Sequence, residues 1–145
     1  MESKAIDSLD HRIIGLLRRD GRKSWKELAE SVNLSASSVG ERVRRLERMG
    51  VISGYQAVVD PAALGQGLRS VVELSLRPDV VPEAFEHALA DRSEVAFAAY
   101  VTGAADYAIL VDCAGPDGLD QFVRWCKARG AATTESRVVL RRVIG

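Results

Sequence analysis

Cysteine is scarce. Cys113 and Cys126 are the only two in 145 residues, too few for a disulfide framework or, by themselves, a metal cage. No apolar stretch approaches the roughly 20 residues that cross a bilayer, so no membrane partner is expected. The N-terminus from Met1 to Leu9 is polar and acidic, without a run resembling a signal peptide. Twelve glycines and four prolines exclude a low-complexity or collagen-like chain. Net charge is also lacking, with 20 bases against 20 acids. What is present is an ordinary apolar fraction of 47%, enough to bury the core of one domain or two small ones. A cytoplasmic protein is the expectation.

The zero net charge hides a division. Residues 1–60 hold eleven Lys and Arg against nine Asp and Glu, a balance of +2, and the remainder carries −2. Such asymmetry points to an end that faces nucleic acid, and the placement of the bases says more than their sum.

The first half reads as three short helices. Asp7 can N-cap a helix carrying Leu9, Ile13, Leu16 and Leu17 on one stripe, with Asp10 in its first turn. That helix should stop near Asp20-Gly21, where glycine suits a left-handed position. Ser24-Trp25-Lys26-Glu27 has the spacing of a capping box, and the helix it opens buries Leu28, Ala29 and Val32. Asn33 tolerates the left-handed backbone of a sharp turn. Ser35 then caps a third helix that runs to about Met49 and closes at Gly50. Two short helices joined by so tight a turn form the helix-turn-helix pattern. Val39, Val43 and Leu46 make one buried seam on the third helix. The opposite side presents Ser37, Ser38, Glu41, Arg44, Arg45 and Arg48, with Arg42 on its flank. Many charge runs are merely a solvated face, but here the run coincides with the turn and with small residues at the helix start. Trp25 reads as a residue packed between helices.

Val51 to Val59 reads as a short strand ended by Asp60-Pro61, giving the first domain a winged-helix-like character. Gly65 and Gly67 mark a boundary. The expected division is residues 1–50 as a helix-turn-helix domain, 51–68 as strand and hinge, and 69–145 as a second domain. There the order is β-α-β-β-α-β: a strand over Ser70–Arg77, a helix opened by Pro82, strands over Val95–Thr102 and Tyr107–Cys113, a helix over Gly118–Arg129 and a last strand over Arg137–Val143. This order predicts a ferredoxin-like α+β sandwich with both helices on one face of the sheet. Val72, Leu74, Phe97 and Val139 are expected on the other face with nothing to cover them, and such a face usually meets a partner. Trp125 is expected on the outside of its helix or at a subunit contact.

Six pieces in order resemble the Lrp/AsnC (feast/famine) family of transcriptional regulators over nearly the full length. They are Ile6-Asp7-Ser8-Leu9-Asp10, Asp20-Gly21-Arg22, the run from Leu34 to Glu47, Gly50-Val51-Ile52-Ser53-Gly54-Tyr55, Val101-Thr102-Gly103-Ala104-Ala105-Asp106-Tyr107 and Thr134-Glu135-Ser136-Arg137-Val138-Val139-Leu140. The resemblance implies an N-terminal DNA-binding domain and a C-terminal domain that dimerises and binds an amino acid or similar small effector, with no other cofactor. It further implies assembly of dimers, commonly to octamers, with the effector held where dimers meet. Carried over residue by residue, Thr102, Gly103, Ala104, Asp106 and Tyr107, with Thr134, Ser136 and Val138, line that effector site. Ala104 and Ser136 depart from the family pattern, which often has an acidic or polar residue and a threonine there. Gly103 to Asp106 also reads as a plain hairpin turn, with Asp106 bonding its own backbone.

The mechanical expectation for DNA is a third helix entering the major groove of a pseudo-palindromic duplex, one half-site per subunit. Ser35 and Ser37 would grip phosphate. Ser38, Glu41 and Arg45 have the direction to reach base edges, while Lys26, Arg42, Arg44 and Arg48 suit phosphate clamping. Two other readings compete. Haem-biosynthetic decarboxylases share the two-domain architecture, but His11 and His87 lie in different domains, and neither cysteine has a His and carboxylate nearby in sequence to make a nucleophile or zinc site. No catalytic residue is assigned. A ligand sensor with weak DNA binding is the other alternative, against which the basic face argues.

Overall fold

Two aspartates start the first helix, α1 (Ser8–Arg19). The Asp7 carboxylate accepts the Asp10 N–H at 2.8 Å, and the Asp10 carboxylate accepts the Asp7 N–H at 3.0 Å. This reciprocal cap fills donors that a helix's first turn otherwise leaves without partners. α1 ends at Asp20, and the expected left-handed glycine does not follow it. Instead the Asp20 carboxylate accepts the Arg22 N–H at 3.0 Å and turns the chain without a positive φ at Gly21.

The second helix, α2 (Trp25–Val32), opens with the expected Ser24–Glu27 capping box. It closes on Asn33 in the left-handed conformation, at φ 57° and ψ 51°. Ser35 caps the third helix, α3 (Ala36–Arg48), and Gly50 follows with φ 71°. Ile13, Leu17, Leu28, Val32, Val39 and Val43 form one buried cluster between the three helices. Trp25, expected between helices, lies against α3, where a Cβ at Gly40 would stand 3.6 Å from its ring, but it stays 37% exposed and outside the core cluster.

The computed structural model describes residues 5–143 and divides into two compact units, Met1–Val58 and Val59–Gly145. The strand expected over Val51–Val59 is absent. Ile52 packs onto the helical core and the Tyr55 hydroxyl donates to Glu47 at 2.9 Å. Val58, however, is 90% exposed, and with no neighbouring strand to pair with there is no ladder.

In the second unit the sheet order is β2-β3-β1-β4, antiparallel throughout. Its strands are β1 (Leu68–Leu76), β2 (Val95–Tyr100), β3 (Tyr107–Cys113) and β4 (Ala131–Val138), and its helices are α4 (Pro82–Ala90) and α5 (Pro116–Ala128). This is the expected ferredoxin-like α+β sandwich. Val72 and Leu74 of β1, Phe85 and Leu89 of α4, Ile109 and Val111 of β3, and Phe122 and Cys126 of α5 make its core. Two sequence expectations require correction here. Val72 and Leu74, 0% and 1% exposed, face the helices, because the β1–β3 register puts even-numbered β1 residues on the covered side. The open face instead carries Val71, Leu110 and the 58%-exposed Phe97, with Val139 at the end of its ladder. Trp125 is not on the outside: it packs on the core beside Phe85 and Phe122, with the Arg92 and Arg129 guanidiniums 5.0 and 5.3 Å from its ring centre.

The last strand begins six residues earlier than expected, at Ala131. Gly130, with φ 106°, reverses the chain directly after α5, so the polar Ala-Ala-Thr-Thr-Glu-Ser segment pairs with β1 along the sheet edge. The apolar run of 138–140 that drew the expectation lies at and beyond the strand's end.

Candidate functional site

α3 is held by its buried seam, with Val39, Val43 and Leu46 all at 0% exposure, and this decides what its other side presents. Leu34, Ser38, Glu41, Arg42, Arg44, Arg45 and Arg48 line one groove of about 650 Å³ along the helix. At its N-terminal end the three serines bond to one another: Ser35 Oγ lies 3.0 Å from Ser37 Oγ and 2.8 Å from Ser38 Oγ, and it accepts the Ser38 N–H at 3.2 Å. Ser35 is thus occupied as a cap, whereas Ser37 and Lys26 are exposed.

The arginines divide into two pairs. Arg44 and Arg48 are exposed and enter no ion pair among the described residues. Arg42 and Arg45, expected to clamp phosphate and to read bases, are instead turned back onto α1. Arg42 Nη1 donates to Asp7 Oδ2 at 2.6 Å and to Asp10 Oδ1 at 2.8 Å, and Arg45 Nη2 donates to Asp10 Oδ2. Their three-residue spacing puts both on one side of α3, opposite the first turn of α1. Asp10 is fully buried. Burial pulls its carboxyl upward, but the Asp7 N–H and the Arg42 guanidinium outweigh this and hold it below the ordinary range. The Asp10 N–H, with Arg42 beside it, holds Asp7 down to about 2. Sequence reading misses this brace because no helical periodicity reveals a pairing across 35 residues.

In the second unit, the β2–β3 loop and β4 enclose a cavity of about 430 Å³. Of the residues carried over from the family pattern, Thr102, Ala104 and Thr134 line it, and Gly103 turns the loop at φ 126°. The others lie elsewhere. Asp106 accepts the Leu76 N–H at 3.1 Å, tying the loop to β1, so its bond is across the sheet and not to its own backbone. Tyr107 is 2% exposed on the helix side, where its hydroxyl donates to Glu86 at 2.8 Å. Burial and that facing carboxylate push the phenol up. Ser136 and Val138 alternate onto the helix side of β4, opposite Val72 and Ser70. Three charged residues that sequence reading did not assign to the site take their place at the cavity: Glu73, Glu135 and Arg137. Arg137 Nη2 lies 2.8 Å from Glu73 and 2.9 Å from Glu135. Strand alternation, with Glu73 paired opposite Glu135, is the signal that finds them once β4 is placed correctly.

His11 and His87 are exposed and belong to different units. Cys113 and Cys126 are buried, and burial pushes the Cys126 thiol up to about 12. No group of three His, Cys, Asp or Glu among the described residues could hold a metal ion, and none of their helices is long and apolar enough to cross a membrane.

A helix-turn-helix with an arginine-lined outer face, carried on the same chain as a ferredoxin-like sandwich with a charged cavity, defines a DNA-binding regulator of the ligand-responsive class. Comparison with known proteins makes this specific. Residues 6–47 match the AsnC-type helix-turn-helix domain and residues 69–145 the Lrp/AsnC ligand binding domain. The HTH-type transcriptional regulator LrpA of Mycobacterium tuberculosis is 33% identical over 142 residues, covering 95% of this chain and 92% of the relative. A feast or famine regulatory protein of M. tuberculosis, solved with L-methionine, superposes with a TM-score of 0.85 at 32% identity, covering 97% of this chain and 96% of that one. A transcriptional regulator of Neisseria meningitidis, also solved with L-methionine, gives a TM-score of 0.91 at 26% identity, covering 97% and 94%. The chain belongs to the Lrp/AsnC family of transcriptional regulators.

Proposed function

We propose that α3 contacts double-stranded DNA in the major groove through Ser37, Ser38, Glu41, Arg44 and Arg48, with Lys26 of α2 as an outer phosphate contact. The observation that carries this reading is the shared groove on α3, where Arg44 and Arg48 stand exposed beside Ser38 and Glu41. Ser38 and Glu41 lie one turn apart and face base edges, which carry sequence information, while the arginines take phosphates, which do not. Arg44→Ala should weaken binding to every duplex and lower the salt slope of log K by about 1. Fluorescence anisotropy on a selected operator and on a random duplex, at several salt concentrations, measures this. An unaltered slope would contradict it.

The effector of the second domain is a zwitterionic amino acid held at the cavity of Thr102, Ala104, Thr134, Glu73, Glu135 and Arg137. An α-ammonium and an α-carboxylate match the acid–base composition of that cavity, and charge-assisted hydrogen bonds are the strong kind. The apolar part of the open sheet face, with Phe97 and Leu110, supports dimerisation, and dimers assemble further to complete the effector site. Calorimetry across the twenty amino acids, read beside light-scattering mass, tests both points. Arg137→Ala should cut effector affinity roughly tenfold or more, the equivalent of about 1.4 kcal/mol. Full affinity in that variant would remove the cavity from consideration.

A further inference from the structure

We propose that Asp7 and Asp10 are specificity-determining residues: by neutralising Arg42 and Arg45 they keep two of the four arginines of α3 from binding phosphate indiscriminately. The inference rests on α3 being the DNA-contacting helix. Both carboxylates are set in place by α1 itself, through the reciprocal bonds between each side chain and the other residue's backbone N–H. They are therefore in position whether or not the arginines reach them. The four groups sum to zero charge, and Arg42 is bound by both acids.

The arrangement is not the one that satisfies every donor. Arg45 Nε is buried without a hydrogen-bond partner, although buried polar groups are nearly always paired. An aliphatic pair could tie α1 to α3 without leaving an unfilled donor. What an arginine–carboxylate brace adds is control of charge on the face that meets a polyanion. Non-specific affinity grows with the number of phosphates a protein neutralises, whereas sequence discrimination does not. Masking Arg42 and Arg45 therefore lowers the affinity for random DNA and leaves the base-facing residues untouched.

The test uses the full chain and a random-sequence duplex, with anisotropy read from 50 to 200 mM salt. The double variant Asp7→Asn/Asp10→Asn, which keeps shape and removes charge, should bind random DNA more tightly. Its salt slope should steepen by up to about 2, near 0.9 for each phosphate newly contacted, and its preference for a selected operator should fall. A purely structural role for the aspartates would weaken binding to both duplexes, and unchanged or weaker random binding by the folded variant would overturn the proposal. If circular dichroism shows the double variant unfolded, the arginines decide the matter. Arg42→Gln should leave the wild-type slope unchanged, whereas Arg44→Gln lowers it by about 1. Equal losses in the two would overturn the proposal, and a wild-type chain that binds no duplex would overturn it together with the assignment of α3.

Discussion

The behaviour of single residues here follows from what each touches, and two make sharp tests. Gly130 stands at φ 106°, and a Cβ there would lie 2.3 Å from Val80 Cγ2. Gly130→Ala should thus combine backbone strain with a clash and destabilise the second domain by about 2 kcal/mol or more. Thermal melting checks this; a loss below half a kcal/mol would show that the turn relaxes easily. Asp7 concerns the first domain. Its carboxyl moves from 3.8 to about 2 on folding, and a carboxyl depressed in this way lends stability that is complete above the unfolded value and lost as pH falls through the folded one. Acid titration of the helical signal should show that loss between about pH 5 and pH 2. Asp7→Asn should remove part of it, and an identical titration in the variant would contradict the brace.

At the scale of elements, α2 depends most on its caps. It has eight residues, shorter than a helix that persists alone in water, and Ser24 and Asn33 define its ends. Ser24→Ala should cost about 1 kcal/mol, measured by denaturant melting of the first domain; no change would mean that packing of Leu28 and Val32 alone sets the helix. Such elements were legible in the sequence because local chemistry specifies them: caps, left-handed Asn33 and a three-residue seam leave little choice. β1 and β3 were legible as strands through their alternation, although which face they turn to the helices was not. β4 was not, since its residues are polar on an edge and only pairing with β1 makes them a strand. The expected strand at 51–59 failed for the converse reason, having apolar residues but no neighbour. Both failures displaced the site reading. With β4 misplaced, Glu135 and Arg137 could not be aligned against Glu73, and with no long-range pairing in view Arg45 stood as a base reader instead of a partner of Asp10.

The whole molecule combines a helical unit that meets a polyanion with a sheet unit that meets a small ligand and, as proposed, further copies of itself. In the dimer proposed above, the open sheet face is the one that is covered. Phe97→Asp should place a charge on the most exposed large apolar side chain of that face and shift the light-scattering mass toward the monomer; a mass equal to that of the wild type would place the interface elsewhere. That proposed dimer carries two recognition helices, whose spacing sets that of two half-sites. The most direct measurement is methylation interference at guanine N7, an atom that lies in the major groove, on an operator selected from random sequence. Two clusters of interference separated by one helical turn or a multiple of it are predicted, with the signal weakened throughout by Arg44→Ala. No interference at N7 despite tight binding, or contacts confined to the minor groove, would contradict the placement of α3 on DNA.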